Sequence, residues 1–250
     1  MRVIEGISYG QGGELDLYLP DGECFDVFVF FHGGGIEKGS RAEATRFASD
    51  LADQGVCVVS ADYRMYPDAK YPDFIEDAAE AVAYVREHIE EYGRCRRLIV
   101  GGSSAGAYLS MMLCFDGRYL GAHGIDPIEI DGWVHGAGQP TAHFRVLKEH
   151  GEDPKRLIVD ERAPLYFVGR VERYSPILFL VSDHDMQNRY EQTVLTLSTL
   201  KHFGHEGERV QCRVMEGKHC AFFKEYEKNG INRFARIFLE WLPTVEERKA

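Results

Sequence analysis

Strand-length apolar runs alternate with longer stretches of helical spacing along most of the chain. That rhythm limits the fold more than any single motif, because it requires a mostly parallel sheet with helices on both faces. Residues 15–19 alternate as an early strand, Pro20-Asp21-Gly22 supplies a turn, and residues 27–31 are a continuous apolar run suited to a strand buried on both sides. This first pair is expected to form an antiparallel edge. Residues 41–54 have helical spacing and stop at Gly55, and residues 56–61 read as the next strand. Over residues 73–92, Ile75, Ala78, Ala79, Val82 and Val85 make one apolar stripe of a helix that Gly93 closes. Strands over residues 97–101, 130–134, 177–181 and 210–215, with helices over 104–115, 188–203 and 221–241, complete the pattern. The expected architecture is a three-layer α/β/α sandwich of about eight strands.

With 250 residues, 44% of them hydrophobic, the chain can bury a sizeable core as one domain spanning residues 1–250. Residues 136–174, rich in Gly, Pro, Arg and His, break the rhythm and are too long for a simple connection. They read as a covering insertion over a site, against the plainer reading of a surface excursion with its own short helix. Lys and Arg total 29 against 40 Asp and Glu, and the net charge of -11 repels phosphate backbones and anionic lipid surfaces. Neither nucleic acid nor a membrane is therefore an expected partner. The first ten residues lack the apolar run of a secretory signal and no later run approaches a membrane span, so a cytoplasmic location is expected. Cys24, Cys57, Cys95, Cys114, Cys212 and Cys220 form no CxxC pair and read as reduced packing residues.

The sharpest local signal is Gly102-Ser103-Ser104-Ala105-Gly106, a G-x-S-x-G match placed between an expected strand and an expected helix. A serine hydroxyl is a weak nucleophile until it is presented to a base, and a sharp strand-to-helix turn projects it from the sheet edge. The flanking glycines remove side chains that would collide in so tight a turn. The helix start, with the N–H of Ala105, offers free donors to a developing negative charge. Alone, this pentapeptide reads as a turn. It is joined by His32-Gly33-Gly34-Gly35 after the run 27–31, a loop whose Gly34 and Gly35 N–H groups suit an oxyanion at the same sheet end.

These motifs, in this order and with Ala61-Asp62-Tyr63-Arg64-Met65-Tyr66-Pro67 between them, resemble the α/β-hydrolase superfamily and in particular its esterase branch related to hormone-sensitive lipase. Tyr71-Pro72 and Asp77 match as well. The resemblance runs over residues 15–241, except that residues 136–174 have no clear counterpart and the large N-terminal cap of many relatives is absent. It implies the chain order nucleophile, acid, base. Two acids compete after the run 177–181: Asp183 and Asp185. Relatives place the acid a few residues past that strand, which favours Asp185, whereas Asp183 has the ordinary role of a turn residue. Glu216-Gly217-Lys218-His219 resembles the family's Gly-x-x-His loop, and His219 also stands at the end of a late strand, where reacting groups gather in open sheets.

The implied chemistry is serine ester hydrolysis through an acyl-enzyme. Ser104, Asp185 and His219 form the triad, Gly34, Gly35 and Ala105 the oxyanion hole, and the substrate is a short-chain acyl ester, such as an acetyl ester of a carbohydrate or small alcohol. His32, His135 and Phe144 are candidate substrate contacts. An amidase or arylformamidase of the same fold is the alternative, and a non-catalytic ligand-binding relative is a third reading. No HExxH or compact His and carboxylate set points to a metal, Gly101 to Gly106 lacks the Lys of a phosphate loop, and no cofactor is expected. The sequence leaves the oligomeric state open, a homodimer included.

Overall fold

In a computed structural model of the chain, residues 1–205 and 207–247 are described. Among these residues, eight strands make one sheet in the order β1-β2-β4-β3-β5-β6-β7-β8. They are β1 (Arg2–Gly10), β2 (Gly13–Leu19), β3 (Cys24–Phe31), β4 (Val56–Ala61), β5 (Arg94–Ser103), β6 (Gly132–Gly136), β7 (Ile177–His184) and β8 (Val210–Lys218). From β4 through β8 every neighbouring pair is parallel. The antiparallel part lies elsewhere than expected: β2 pairs with β1 and with β4, not with β3. The missed strand β1 is mostly exposed, so it carries little hydrophobic signal.

Among the described residues, the α-helices are α1 (Thr45–Ala52), α2 (Asp73–His88), α3 (Ala105–Phe115), α4 (Gly117–Gly121), α5 (Phe144–Glu149), α6 (Arg189–His202) and α7 (Arg233–Trp241). The continuous apolar run of β3 is explained by burial on two sides. Val27, Val29 and Phe31 join the core that includes Phe74 of α2 and Tyr108 of α3. Phe28 and Phe30 face the other way, into a core with Phe47 of α1 and Phe234 and Phe238 of α7. There Phe28 and Phe238 centroids lie 4.8 Å apart, and Phe30 meets Phe47 edge-on at 5.0 Å. Removing one such ring costs about 3–5 kcal/mol, so this cluster fixes the level of the sheet edge above it.

Two helical expectations shorten. Residues 41–54 divide into a 3-10 turn over Arg41–Ala44 and α1, and Arg41 turns its guanidinium onto Glu14, Asp16 and Asp62. Residues 221–241 hold a 3-10 turn, a bridged loop between Tyr226 and Asn232, and only then α7. Gly230 at φ 86° breaks the run, and the Asn232 carboxamide accepts from Phe234 and Ala235 N–H to start the helix.

Residues 136–174 fold as closely packed turns around α5. A Cβ on Gly138 would lie 2.5 Å from Met111 Cε and 2.9 Å from Ala107 Cβ, so the backbone lies directly against α3. Tyr108 Oη donates to the Arg162 carbonyl at 2.7 Å and Tyr71 Oη to that of Glu161 at 2.9 Å. Among the described residues, no helix is long and apolar enough to cross a membrane.

Candidate active site

The parallel strands deliver three loops to one edge of the sheet. Ser104 occupies the turn between β5 and α3 with φ 52° and ψ −109°, a conformation that costs about 1–3 kcal/mol for a residue with a side chain. Packing enforces it. A Cβ on Gly106 would stand 2.0 Å from the Phe31 carbonyl oxygen, and one on Gly102 would stand 2.4 Å from the Gly106 carbonyl carbon. Two glycines therefore let β5 and α3 press against the end of β3, and the serine turn is left no wider path. Ser104 N–H donates to the Gly136 carbonyl at 2.7 Å, so β6 anchors the turn from the other side.

His219, the first residue past β8, brings its Nε2 to 2.8 Å from Ser104 Oγ and its Nδ1 to 2.5 Å from Asp185 Oδ1. The Asp185 side chain is 1% exposed and also accepts from the N–H groups of Ser182 at 3.1 Å and Met186 at 2.7 Å. Burial disfavours its charge, but the hydrogen bond and charge of His219 and the two backbone donors prevail and hold the carboxyl below its usual range. With Asp185 accepting from Nδ1–H, Nε2 is the ring's free acceptor and faces the serine hydroxyl. The competing acid, Asp183, turns outward: its Oδ1 lies 2.8 Å from the Gly217 N–H and 2.8 Å from His184 Nδ1. Asp183 thus braces the loop carrying His219 without touching the imidazole.

Gly34 and Gly35 enter the β3–α1 loop at φ 109° and 70°, and a Cβ on Gly34 would stand 1.7 Å from the Lys38 carbonyl oxygen. Among the described residues, no backbone acceptor takes their N–H groups. The Ala105 N–H opens α3 and has no place in that helix's own ladder. Gly34, Gly35 and Ser104, the residue before Ala105, meet at a cavity of about 530 Å³, also lined by Glu37, Lys38, Phe144, Met186, Cys220 and Phe223.

Of the three candidate substrate contacts, Phe144 lines this cavity, and the two histidines are corrections. His32 is fully buried, stacks on Tyr63 at 4.5 Å and directs Nδ1 to the Gly33 carbonyl at 2.7 Å. It shapes the glycine loop from behind. His135 lies within β6 with Nδ1 2.9 Å from Ser110 Oγ, and burial brings it down to about 3, a neutral core residue. His32 stands in the glycine motif and His135 in an aromatic-rich stretch at the end of the expected strand 130–134, and neither signal fixes the side that a ring faces. The sequence reading missed Met186, Phe223 and Lys38 as wall residues, although Met186 and Lys38 directly follow or lie near motif residues. Cys220 Sγ stands 3.6 Å from His219 Nε2, but burial pushes its thiol up to about 12, so it stays protonated.

Residues 15–123 match the family model described as BD-FAE, a stretch that includes the glycine loop and Ser104 and ends before Asp185 and His219. An AB hydrolase superfamily protein of Schizosaccharomyces pombe is 38% identical over 96 residues, covering 38% of this chain and 28% of that protein. Esterase LipI of Mycobacterium tuberculosis is 36% identical over 131 residues, covering 48% of this chain and 40% of its own length. The chain thus spans well under half the length of these curated relatives. Among solved structures, esterase B of Lactobacillus rhamnosis superposes with a TM-score of 0.79 at 15% identity, over 97% of this chain and 85% of its own. The fold is that of the α/β-hydrolase esterases.

Proposed function

We propose that this α/β-hydrolase chain hydrolyses small carboxylic esters through an acyl-enzyme on Ser104. The carrying observation is the unbroken hydrogen-bond chain from Ser104 Oγ through His219 to Asp185, set beside three N–H groups with no backbone acceptor among the described residues. In this reading Ser104 Oγ attacks the ester carbonyl while His219 Nε2 takes its proton, and Asp185 holds the tautomer and stabilises the imidazolium. The carbonyl oxygen becomes an oxyanion that receives hydrogen bonds from Gly34, Gly35 and Ala105, each worth about 3 kcal/mol in a site of this kind. His219 then protonates the departing alcohol. Water, deprotonated by the same imidazole, attacks the acyl-enzyme and releases the acid.

A cavity of about 530 Å³, walled by Phe144, Met186 and Phe223, supports a small substrate such as a short-chain or acetyl ester. Ser104→Ala is expected to abolish turnover of p-nitrophenyl acetate and covalent labelling by a fluorophosphonate while leaving Tm near that of the parent. Labelling retained in the variant, or a parent that neither labels nor turns over ester, would refute the assignment. Assaying N-formylkynurenine beside the p-nitrophenyl series distinguishes ester from formamide hydrolysis.

A further inference from the structure

The loop that carries Gly34 and Gly35 is held in a conformation that its own sequence resists. Gly35 and Ile36 stand in the middle of a tight turn, closed by the Glu37 N–H on the Gly34 carbonyl at 3.2 Å, and both have positive φ, 70° and 62°. Glycine adopts that region freely, but for a β-branched residue such as Ile36 it is strained. The turn therefore needs support from its surroundings. Ile36 gains some by burying its side chain in the core. Further contacts come from α5, at two consecutive residues.

A Cβ on Gly35 would stand 3.2 Å from Phe144 Cζ, so that ring lies on the turn itself. Arg145 holds Glu37 at 2.8 Å and lays its guanidinium over the Tyr66 ring, 4.5 Å from the centroid. Tyr66 in turn donates its N–H to the Ile36 carbonyl at 3.0 Å. One side chain thus grips the turn at Glu37 and, through Tyr66, at Ile36. The start of α5 is fixed to the other half of the oxyanion hole. The buried His143 caps α5 by accepting the Arg145 N–H at 3.2 Å. Its ring lies 4.4 Å from that of Phe144 and 5.1 Å from that of Tyr108 in α3, the helix whose first residue is Ala105. Through these contacts α5 spans the glycine turn and α3, and donors carried by two separate elements serve one oxyanion only while their separation is fixed.

We propose that Arg145 is a positioning residue, which locks the Gly34 and Gly35 turn against α3 so that N–H groups from both elements meet one oxyanion. The inference rests on the ester-hydrolase reading above, and it gives residues 136–174 a part in the chemistry. Arg145 is not among the residues lining the cavity, so its effect on turnover runs through the turn. With side chains 18% and 46% exposed, the Arg145 and Glu37 pair adds little to global stability, and its contribution is geometric.

The test measures kcat/KM for p-nitrophenyl acetate, Tm and amide hydrogen exchange in the parent, Arg145→Met, Arg145→Lys and Glu37→Gln. Losing an oxyanion donor outright costs about 10²–10³-fold, and a donor displaced but present costs less, so Arg145→Met is expected to lose at least about fivefold with Tm little changed. Arg145→Lys, which keeps the charge without the planar fork, should recover part of that loss. Arg145→Met combined with Glu37→Gln should lose no more than the larger single loss, because both break the same contact. Independently of turnover, the N–H groups of Glu37 and Tyr66, whose acceptors are the Gly34 and Ile36 carbonyls, should exchange at least about tenfold faster in Arg145→Met. A smaller loss in kcat/KM, additive losses in the double variant or unchanged exchange overturns the proposal; an arginine that served stability alone would lower Tm and leave kcat/KM of the folded enzyme at the parent value. Should Arg145→Met not fold, Glu37→Gln carries the same expectations at a half-exposed side chain. If the parent turns over no ester, the ester-hydrolase reading fails, and exchange alone decides whether Arg145 holds the turn.

Discussion

Replacing Asp185 by Asn tests the site in a way its hydrogen bonds make quantitative. The Oδ1 position faces two donors, His219 Nδ1–H at 2.5 Å and Met186 N–H at 2.7 Å, whereas Oδ2 faces one, Ser182 N–H at 3.1 Å. An asparagine must set its NH2 against one of these positions. With the amide oxygen at Oδ1 a single longer contact is lost; with the oxygen at Oδ2 two shorter ones are lost. Each buried donor left without an acceptor costs about 1–3 kcal/mol, so the first orientation wins and His219 keeps its proton on Nδ1. What disappears is the charge opposite the imidazolium: a hydrogen bond to a charged group, worth about 1.5–3 kcal/mol, becomes a neutral one worth about 0.5–1.5, a difference of about 1–1.5 kcal/mol. That corresponds to a loss of about 5- to 13-fold in kcat/KM. Asp183→Asn, which alters only the outward contacts to Gly217 N–H and His184 Nδ1, should cost less than about threefold by the same rate relation. Steady-state hydrolysis of p-nitrophenyl acetate by the two variants checks both figures. A larger loss from Asp183→Asn would overturn the assignment of the acid. A loss near 10⁴-fold from Asp185→Asn, the size seen when a triad histidine is held in the wrong tautomer, would overturn the donor-counting argument.

Gly106→Ala normally helps a helix by about 0.5–1 kcal/mol, but here the new methyl meets the Phe31 carbonyl at 2.0 Å, and overpacking of about 1–3 kcal/mol prevails. At about 2–4 °C per kcal/mol for a chain of this size, calorimetry should show Tm falling by roughly 2–12 °C, and an unchanged or raised Tm would contradict the close approach. The Arg64 and Asp77 pair is asymmetric, with side chains 34% and 2% exposed. Arg64→Met strands a buried carboxylate and should cost about 3–5 kcal/mol in urea unfolding, more than Asp77→Leu, which leaves a guanidinium able to reach water. Asp185 is held below its unfolded value, so its ionic stabilisation is complete above about pH 3.9 and is lost as pH falls through the folded value. The gap in urea midpoint between parent and Asp185→Asn should accordingly be wider at pH 7 than at pH 3.

How far the sequence could be read depended on whether a signal was local. Periodicity found the interior strands because β3 and β4 are buried on both faces, and Val56–Ala61 was read to the residue. It missed β1, whose exposed pattern satisfies backbone pairing without apolar side chains, and the misplaced antiparallel edge follows from that omission. The positions of Ser104, Gly34, Gly35 and Ala105 were legible because steric limits on a tight turn and on a donor loop leave a glycine pattern in a few consecutive residues. The choice between Asp183 and Asp185 was not legible in the same way, since both follow the same strand. What separates them is the direction of one peptide: Ser182 and Met186 N–H groups turn Asp185 inward, and Gly217 N–H draws Asp183 outward. The features hardest to read from the chain are therefore those that depend on several distant segments at once.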